Sequence, residues 1–313
     1  MNKETLLPLV KSISRRVLGI KPNRSTGGGT IKSNYCYSVW MRHLIHLNKY
    51  KSGIPEVVAE LGPGDSLGIG FCALLSGSDQ LHALDIVKYW DTERNIRMFD
   101  NLVELFKNKA SIPCQKEFSR VIPTLTNYEF PSEILSSDKL KDSLNEDRLQ
   151  MIRNEILDIN NPNNTYIRYH IPWSSPEIIE KETVDFVYSQ SVLQYIEDLE
   201  FTYGAINQWL KPGGIMSHSI DLSSIGITKN WNSHWTFSDF EWNFIKKDRS
   251  FTISRHPLSK HMEEHLKNGF DILENQPTLR ENPLKASQLA ERYKNLSQED
   301  LTTCNTYILS AKK

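Results

Sequence analysis

The chain has 313 residues, 39% hydrophobic and 24% charged, which is enough to fold as one large domain or two small ones. That hydrophobic content, with only 15 Gly and 14 Pro, excludes a disordered or collagen-like chain. Thirty-seven Lys and Arg balance 38 Asp and Glu to a formal net charge of -1, so no nucleic-acid partner is expected.

Residues 1–24 set six basic residues (Lys3, Lys11, Arg15, Arg16, Lys21, Arg24) among Leu6, Leu7, Leu9, Val10, Ile13 and Val17, against the single acid Glu4. The apolar run is too short and interrupted for a secretory core, and no 18-residue apolar run follows. Such a basic amphipathic stretch suits weak contact with an anionic membrane surface, the alternatives being a helix packed on the domain or a frayed end. A Gly-rich hinge (residues 25–30) closes this unit at residue 32, and residues 33–313 form the second unit.

Residues 33–50 predict a helix. Val57–Leu61 is a short buried strand, stopped by Gly62-Pro63-Gly64 and followed by a helix over 66–76. Leu81–Ile86 is the second strand, and Ile96, Phe99, Leu102, Val103 and Phe106 mark the next helix. Residues 107–163 break this rhythm with charged sequence and four prolines. They contain a helix at Glu146–Leu157, but too few apolar residues for a core of their own. They read as an insertion with the look of a lid. Strands then recur at 166–170, 184–189, 215–221, 270–273 and 303–311, with helices at 199–210 and 259–268. Strands alternating with helices predict a mainly parallel α/β sheet with right-handed crossovers.

The end of the first strand carries the chemistry. Glu60-Leu61-Gly62-Pro63-Gly64 places two glycines at a strand-to-helix turn, where backbone can approach a ligand closely. Asp85, 21 residues past Gly64 at the end of the second strand, can accept both hydroxyl hydrogens of a ribose. Alone, these features predict a nucleotide-like cofactor, and Gly62, Gly64 and Gly68 also fit a GxGxxxG reading used by NADP-dependent oxidoreductases.

Three further segments decide between them: Val184–Ile196, Leu210-Lys211-Pro212-Gly213-Gly214, and the short closing strand. With these in order, the sequence resembles class I S-adenosylmethionine-dependent methyltransferases over about residues 54–106 and 164–311. The resemblance implies a Rossmann-like, seven-stranded, mostly parallel α/β sheet with helices on both faces and an antiparallel last strand. The helical insertion then falls between strands 2 and 3. It implies S-adenosylmethionine as cofactor, with Glu60, Gly62 and Gly64 in the first motif, Asp85 as the ribose acid, and Gln190 and Ser191 on the cofactor floor. Tyr169 and His170 are the adenine-side candidates.

The family often has His in the segment that here reads Ser191–Tyr195, and this chain has Tyr195, which leaves the acid/base open among Tyr195, His218, Asp221 and His234. His218 and Asp221 stand three apart on the fifth strand, so in an extended chain they face opposite sides. His234 lies amid Trp231, Trp235, Phe237, Phe240 and Trp242, a cluster that reads as an acceptor pocket for sugar rings or planar molecules, or else as ordinary core. A looser likeness, through His218 and Asp221, is to methyltransferase-like proteins of bacterial surface polysaccharide synthesis. The expected acceptor is a small molecule or a glycan precursor. A non-catalytic cofactor-binding scaffold stays open as a third reading.

His261-Met262-Glu263-Glu264-His265 fits an inverted zinc-peptidase pattern, but such sites need a further carboxylate on a supporting helix and this motif sits directly before Gly269-Phe270, so no metal is expected. Cys36, Cys72, Cys114 and Cys304 are widely spaced and read as thiols of a reducing cytosol. The expected location is cytoplasmic, peripheral at the inner membrane face if residues 1–24 hold there.

Overall fold

The structure, a computed structural model, describes residues 29–313 except 248, 250 and 283, together with Pro8 and Val10. The membrane-contact expectation for residues 1–24 therefore lies almost wholly outside the described residues. Among those described, no helix is long and apolar enough to cross a membrane.

Seven strands form one sheet in the order β3-β2-β1-β4-β5-β7-β6. They are β1 (Val57–Leu61), β2 (Gln80–Leu84), β3 (Ile167–His170), β4 (Val184–Gln190), β5 (Leu210–Asp221), β6 (Phe270–Leu279) and β7 (Thr303–Lys312). β1 pairs in parallel with β2 and β4, β2 with β3, and β4 with β5, while β7 runs antiparallel to both β5 and β6. This is the predicted Rossmann-like sheet, with its last strand reversed. Chain order changes direction between β1 and β4, the place where open α/β sheets bind ligands at their carboxyl ends.

Both faces are covered because the strands alternate. Val58, Leu81, Phe186 and Tyr188 point into one core, under α1 (Ser33–Asn48), α2 (Gly68–Ser76) and α3 (Thr92–Lys107). Ala59, Leu61, Val187 and Met216 point into the other, under α6 (Leu199–Trp209) and α8 (Leu258–Lys267). The second strand stops at Leu84, two residues short of the sequence reading. The Asp85 carboxylate accepts the N–H groups of Ile86 and Val87 (2.7 and 3.3 Å) and folds the chain into a turn.

Residues 108–166, expected as a lid-like insertion, pack into the main core. They carry α4 (Ser137–Ser143) and α5 (Glu146–Leu157), and Ile112, Leu135, Leu140, Ile152 and Ile156 join the same core as α1–α3. The buried Arg42 guanidinium donates to the carbonyls of Pro113, Val121 and Pro123 at 2.8–3.1 Å. The Glu155 carboxylate accepts the N–H groups of Thr165, Tyr166 and Ile167 at the entry to β3. The segment lacks a core because it completes its neighbours' core.

The layer at the carboxyl edge comes instead from residues 222–257, which leave β5 and include α7 (Asp239–Lys246), and from 280–302, which leave β6 and include α9 (Gln298–Thr302). Two small clusters hold it, one around Phe237, Trp242 and Ile253, the other around Trp235, Leu284, Leu289 and Tyr293. Asn232 ties the halves by donating to Asn282 Oδ1 (2.8 Å) and the Leu301 carbonyl (3.2 Å). The Arg255 guanidinium donates to the Phe237 carbonyl (2.7 Å) and lies over the rings of Trp242 and Tyr293.

Candidate active site

The glycine turn is built by backbone no other residue adopts as easily. Gly62 has φ +65° and donates its N–H to the Leu84 carbonyl at 2.7 Å, and a Cβ there would fall 2.6 Å from Val192 Cγ2. Gly64, at φ +73°, donates its N–H to Asp85 Oδ2 at 3.4 Å. The turn of β1 and the acid of β2 thus face each other across the carboxyl edge. Burial raises the Asp85 pKa, and the N–H groups of Val87, Ile86 and Gly64 oppose that rise.

Three residues that the sequence reading did not assign to the site brace this turn. Thr30 Oγ1 accepts the Asp65 N–H (3.1 Å), and the Thr30 carbonyl accepts the Ser66 hydroxyl. Arg94 donates to the Asp65 carbonyl (3.0 Å), and Asn95 Oδ1 accepts the Leu67 N–H (2.9 Å). These contacts span 28 to 36 residues and leave no local pattern to read.

Glu60 is not on the wall of the site. It is 2% exposed, accepts the Tyr188 hydroxyl at 3.3 Å, and lies under Gly70 of α2. Burial pushes its pKa up to about 8, against hydrogen bonds from Tyr188 and the Gly70 N–H. Tyr169 and His170 are consecutive on β3 and so face opposite sides. The Tyr169 ring packs on Trp90 at 5.3 Å, and its pKa is raised by burial and by the nearby Asp85 charge. His170 turns away and stacks on His82, centroids 5.2 Å apart, with Nε2 at 3.0 Å from His82 Nδ1. Of the adenine-side pair, Tyr169 is the one beside the acid.

At the end of β4, Ser191 takes φ +57° and donates its N–H to the Ser219 carbonyl at 2.8 Å. The Gln190 amide nitrogen donates to Ser219 Oγ at 3.2 Å. Alternation along β5 puts Ser219 and Asp221 on the face that holds Gln190, and His218 on the other.

The acid/base candidates divide accordingly. His218 is fully buried on the α6 side, with Nδ1 2.8 Å from Ser189 Oγ and its ring against Tyr203. Burial holds its pKa well below 6.5. His234 is 1% exposed, 4.5 Å from the Trp235 ring centroid, and burial beside Arg255 lowers its pKa to about 3. Neither imidazole opens to the mouth of the site. Of the aromatic cluster around His234, Trp235, Phe237 and Trp242 are the core of the carboxyl-edge layer and not an exposed pocket, while Trp231 is half-buried and Phe240 points outward.

Asp221 and Tyr195 remain at the mouth. Tyr195 is 37% exposed, and burial together with the Asp221 charge raises its phenol pKa. Phe251 sits between Tyr195 (6.2 Å) and Tyr89 (6.5 Å), so one ring of the carboxyl-edge layer bridges the loops after β2 and β4. Ile86 and Val87 add exposed aliphatic surface beside Asp85.

The HxxEH pair is occupied elsewhere. His261 Nδ1 lies 3.1 Å from the Tyr203 hydroxyl and His265 Nδ1 donates to the His261 carbonyl at 2.6 Å. Among the described residues no group of three or more His, Cys, Asp or Glu side chains is placed to hold a metal ion. The four cysteines are free thiols.

A family model described as a methyltransferase domain matches residues 173–217, which hold β4, α6 and the first part of β5 with its Lys-Pro-Gly-Gly stretch. No curated protein matches the chain. Among solved structures it is similar to an S-adenosylmethionine-dependent methyltransferase from Mesorhizobium loti, with 14% identity and a TM-score of 0.41 over 87% of this chain and 98% of that one. A candidate sarcosine dimethylglycine methyltransferase from Galdieria sulphuraria shares 12% identity, TM-score 0.44, over 97% of this chain and 98% of that one. Phosphoethanolamine N-methyltransferase 2 of Haemonchus contortus, solved with S-adenosyl-L-methionine, shares 15% identity, TM-score 0.42, over 89% of this chain and 56% of that one. These likenesses are distant, and the fold rests on the strand order itself. The family match covers residues 173–217 alone, the part of the sheet that holds β4 and the start of β5.

Proposed function

We propose that the protein transfers a methyl group from S-adenosylmethionine to a small-molecule acceptor. The observation that carries this reading is the Asp85 carboxylate set 3.4 Å from the Gly64 N–H, at the carboxyl ends of adjacent parallel strands. A ribose diol suits that acid, and the turn of Gly62 and Gly64, whose backbone takes positive φ at both glycines and carries no side chain, suits the close approach of the cofactor's amino-acid end. When bound, the sulfonium supplies an already activated methyl group, so the protein mainly aligns the partners. Tyr169 offers a ring beside the ribose acid, and Gln190 with Ser191 forms the floor.

Asp221 is the best-placed group to take a proton from a hydroxyl acceptor, with Tyr195 holding the acceptor beside it. The rings of Tyr195, Phe251 and Tyr89 suit an acceptor with a flat or apolar face, the face of a sugar included. A role in surface polysaccharide synthesis is supported by that ring row and by the sequence likeness through His218 and Asp221. A cytoplasmic protein peripheral at an anionic membrane face is supported by the basic amphipathic pattern of residues 1–24.

Isothermal titration with S-adenosylmethionine and with NADP tests the cofactor. The first should bind and the second should not, and the reverse would make the protein an oxidoreductase. Transfer of labelled methyl into a panel of small acceptors separates an enzyme from a binding scaffold.

A further inference from the structure

His43 of α1 is fully buried, yet both of its ring nitrogens are engaged. Nδ1 lies 2.6 Å from Ser217 Oγ on β5, and Nε2 lies 3.4 Å from Gln190 Oε1 at the end of β4. The Gln190 amide nitrogen in turn donates to Ser219 Oγ at 3.2 Å. The ring is wedged between Tyr188 and Tyr307, each 5.7 Å away, so it has no room to swing.

With the Gln190 amide oriented as it stands, the donor inventory gives this chain a direction. With the Gln190 nitrogen turned to Ser219, its carbonyl oxygen faces His43 and needs a hydrogen there. Nε2 therefore carries the proton, Nδ1 is bare, and Ser217 donates its hydroxyl to it. Burial lowers the His43 pKa to about 3, so the imidazole stays neutral and the direction does not reverse. Of the groups in the chain, Gln190 alone is not fully buried, and one hydrogen of its amide is left over from the bond to Ser219.

We propose that His43 is a positioning residue: the relay from Ser217 through His43 to Gln190 and Ser219 locks the Gln190 amide so that its remaining N–H points at the bound ligand. The role rests on the cofactor reading above, because Gln190 lies on the floor assigned there. It extends that reading to a residue buried under the sheet, 147 positions away in sequence.

Two measurements test it. In protein carrying 15N-labelled histidine, the imidazole shifts of His43 should report the neutral tautomer with hydrogen on Nε2, constant from pH 5 to 9. The tautomer with hydrogen on Nδ1 would mean that the chain runs the other way and would overturn the proposal. In titrations with S-adenosylmethionine, His43→Phe, which fills the space but makes no hydrogen bond, should bind about tenfold more weakly. His43→Gln, which can accept from Ser217 and donate to Gln190, should recover to within about threefold of the wild type. Equal binding in all three proteins would overturn the positioning role, and so would losses in both variants that track their melting temperatures. If the wild type binds no S-adenosylmethionine, the cofactor reading fails, while the tautomer still decides whether the relay exists.

Discussion

Three long segments interrupt the alternation of strands and helices, and the first does the opposite of the other two. Residues 108–166 are polar and broken by prolines, yet their apolar side chains complete the core over α1–α3, and Arg42 and Glu155 fasten them to it. Residues 222–257 are rich in aromatic residues, and together with residues 280–302 they build two small cores of their own at the carboxyl edge, beside the candidate site. A segment too poor in apolar residues to fold alone can still be essential to the main core. A segment rich enough to fold on itself is free to serve as the wall of a site.

The largest expected effect separates the two directly. Ile152 is fully buried in the main core, so Ile152→Ala should cost about 2–5 kcal/mol of global stability. Trp242→Ala, in the carboxyl-edge layer, should instead loosen residues 222–257 locally. Thermal melts with hydrogen exchange read both: the first variant should lower the main transition, and the second should speed exchange in the layer while the sheet melts nearly as before. Equal loss of the main transition in both would show that the layer is not a separate unit.

Next in size is the acid at the mouth. Asp221→Asn should reduce turnover about 10²-fold while leaving S-adenosylmethionine affinity unchanged, if Asp221 takes a proton from the acceptor. In contrast, His218→Asn and His234→Gln should change melting temperature and not the pH profile of turnover, since both rings are buried away from the mouth. A pH profile that moves with His234→Gln would return that residue to the site.

A smaller effect concerns Glu60. Its folded pKa, near 8, lies above the ordinary carboxylate value of 4.5, so the folded protein holds a proton that the unfolded chain releases. Stability from this group is complete below about pH 4.5. It falls as pH rises and is gone above about pH 8. Glu60→Gln should flatten that fall in melts recorded from pH 5 to 9, and cofactor affinity should change by less than about threefold. A loss of affinity of tenfold or more would place Glu60 on the wall after all.

How much of this was legible in sequence follows the range of the interactions. Runs such as Val57–Leu61 and Val184–Ser189, bracketed by Gly, Pro and charged residues, announce buried strands locally, and the opposite facing of His218 and Asp221 follows from strand alternation alone. Gly62, Gly64 and Asp85 were legible because backbone conformation and strand ends are local matters. The burial of Glu60 was not, because it depends on α2 lying over it and on Tyr188, 128 residues away. Thr30 under the turn, His170 against His82, and His234 inside the carboxyl-edge layer depend equally on partners that no spacing reveals.

The central claim is that the Gly62–Gly64 turn and Asp85 together hold an adenosyl cofactor, and a calorimetric titration of the wild type and Asp85→Ala with S-adenosylmethionine tests it most directly. The account predicts one saturable site in the wild type and a loss of about 1–3 kcal/mol of affinity in the variant, as hydrogen bonds to a carboxylate disappear. No binding by the wild type, or equal binding by a folded Asp85→Ala, would contradict it.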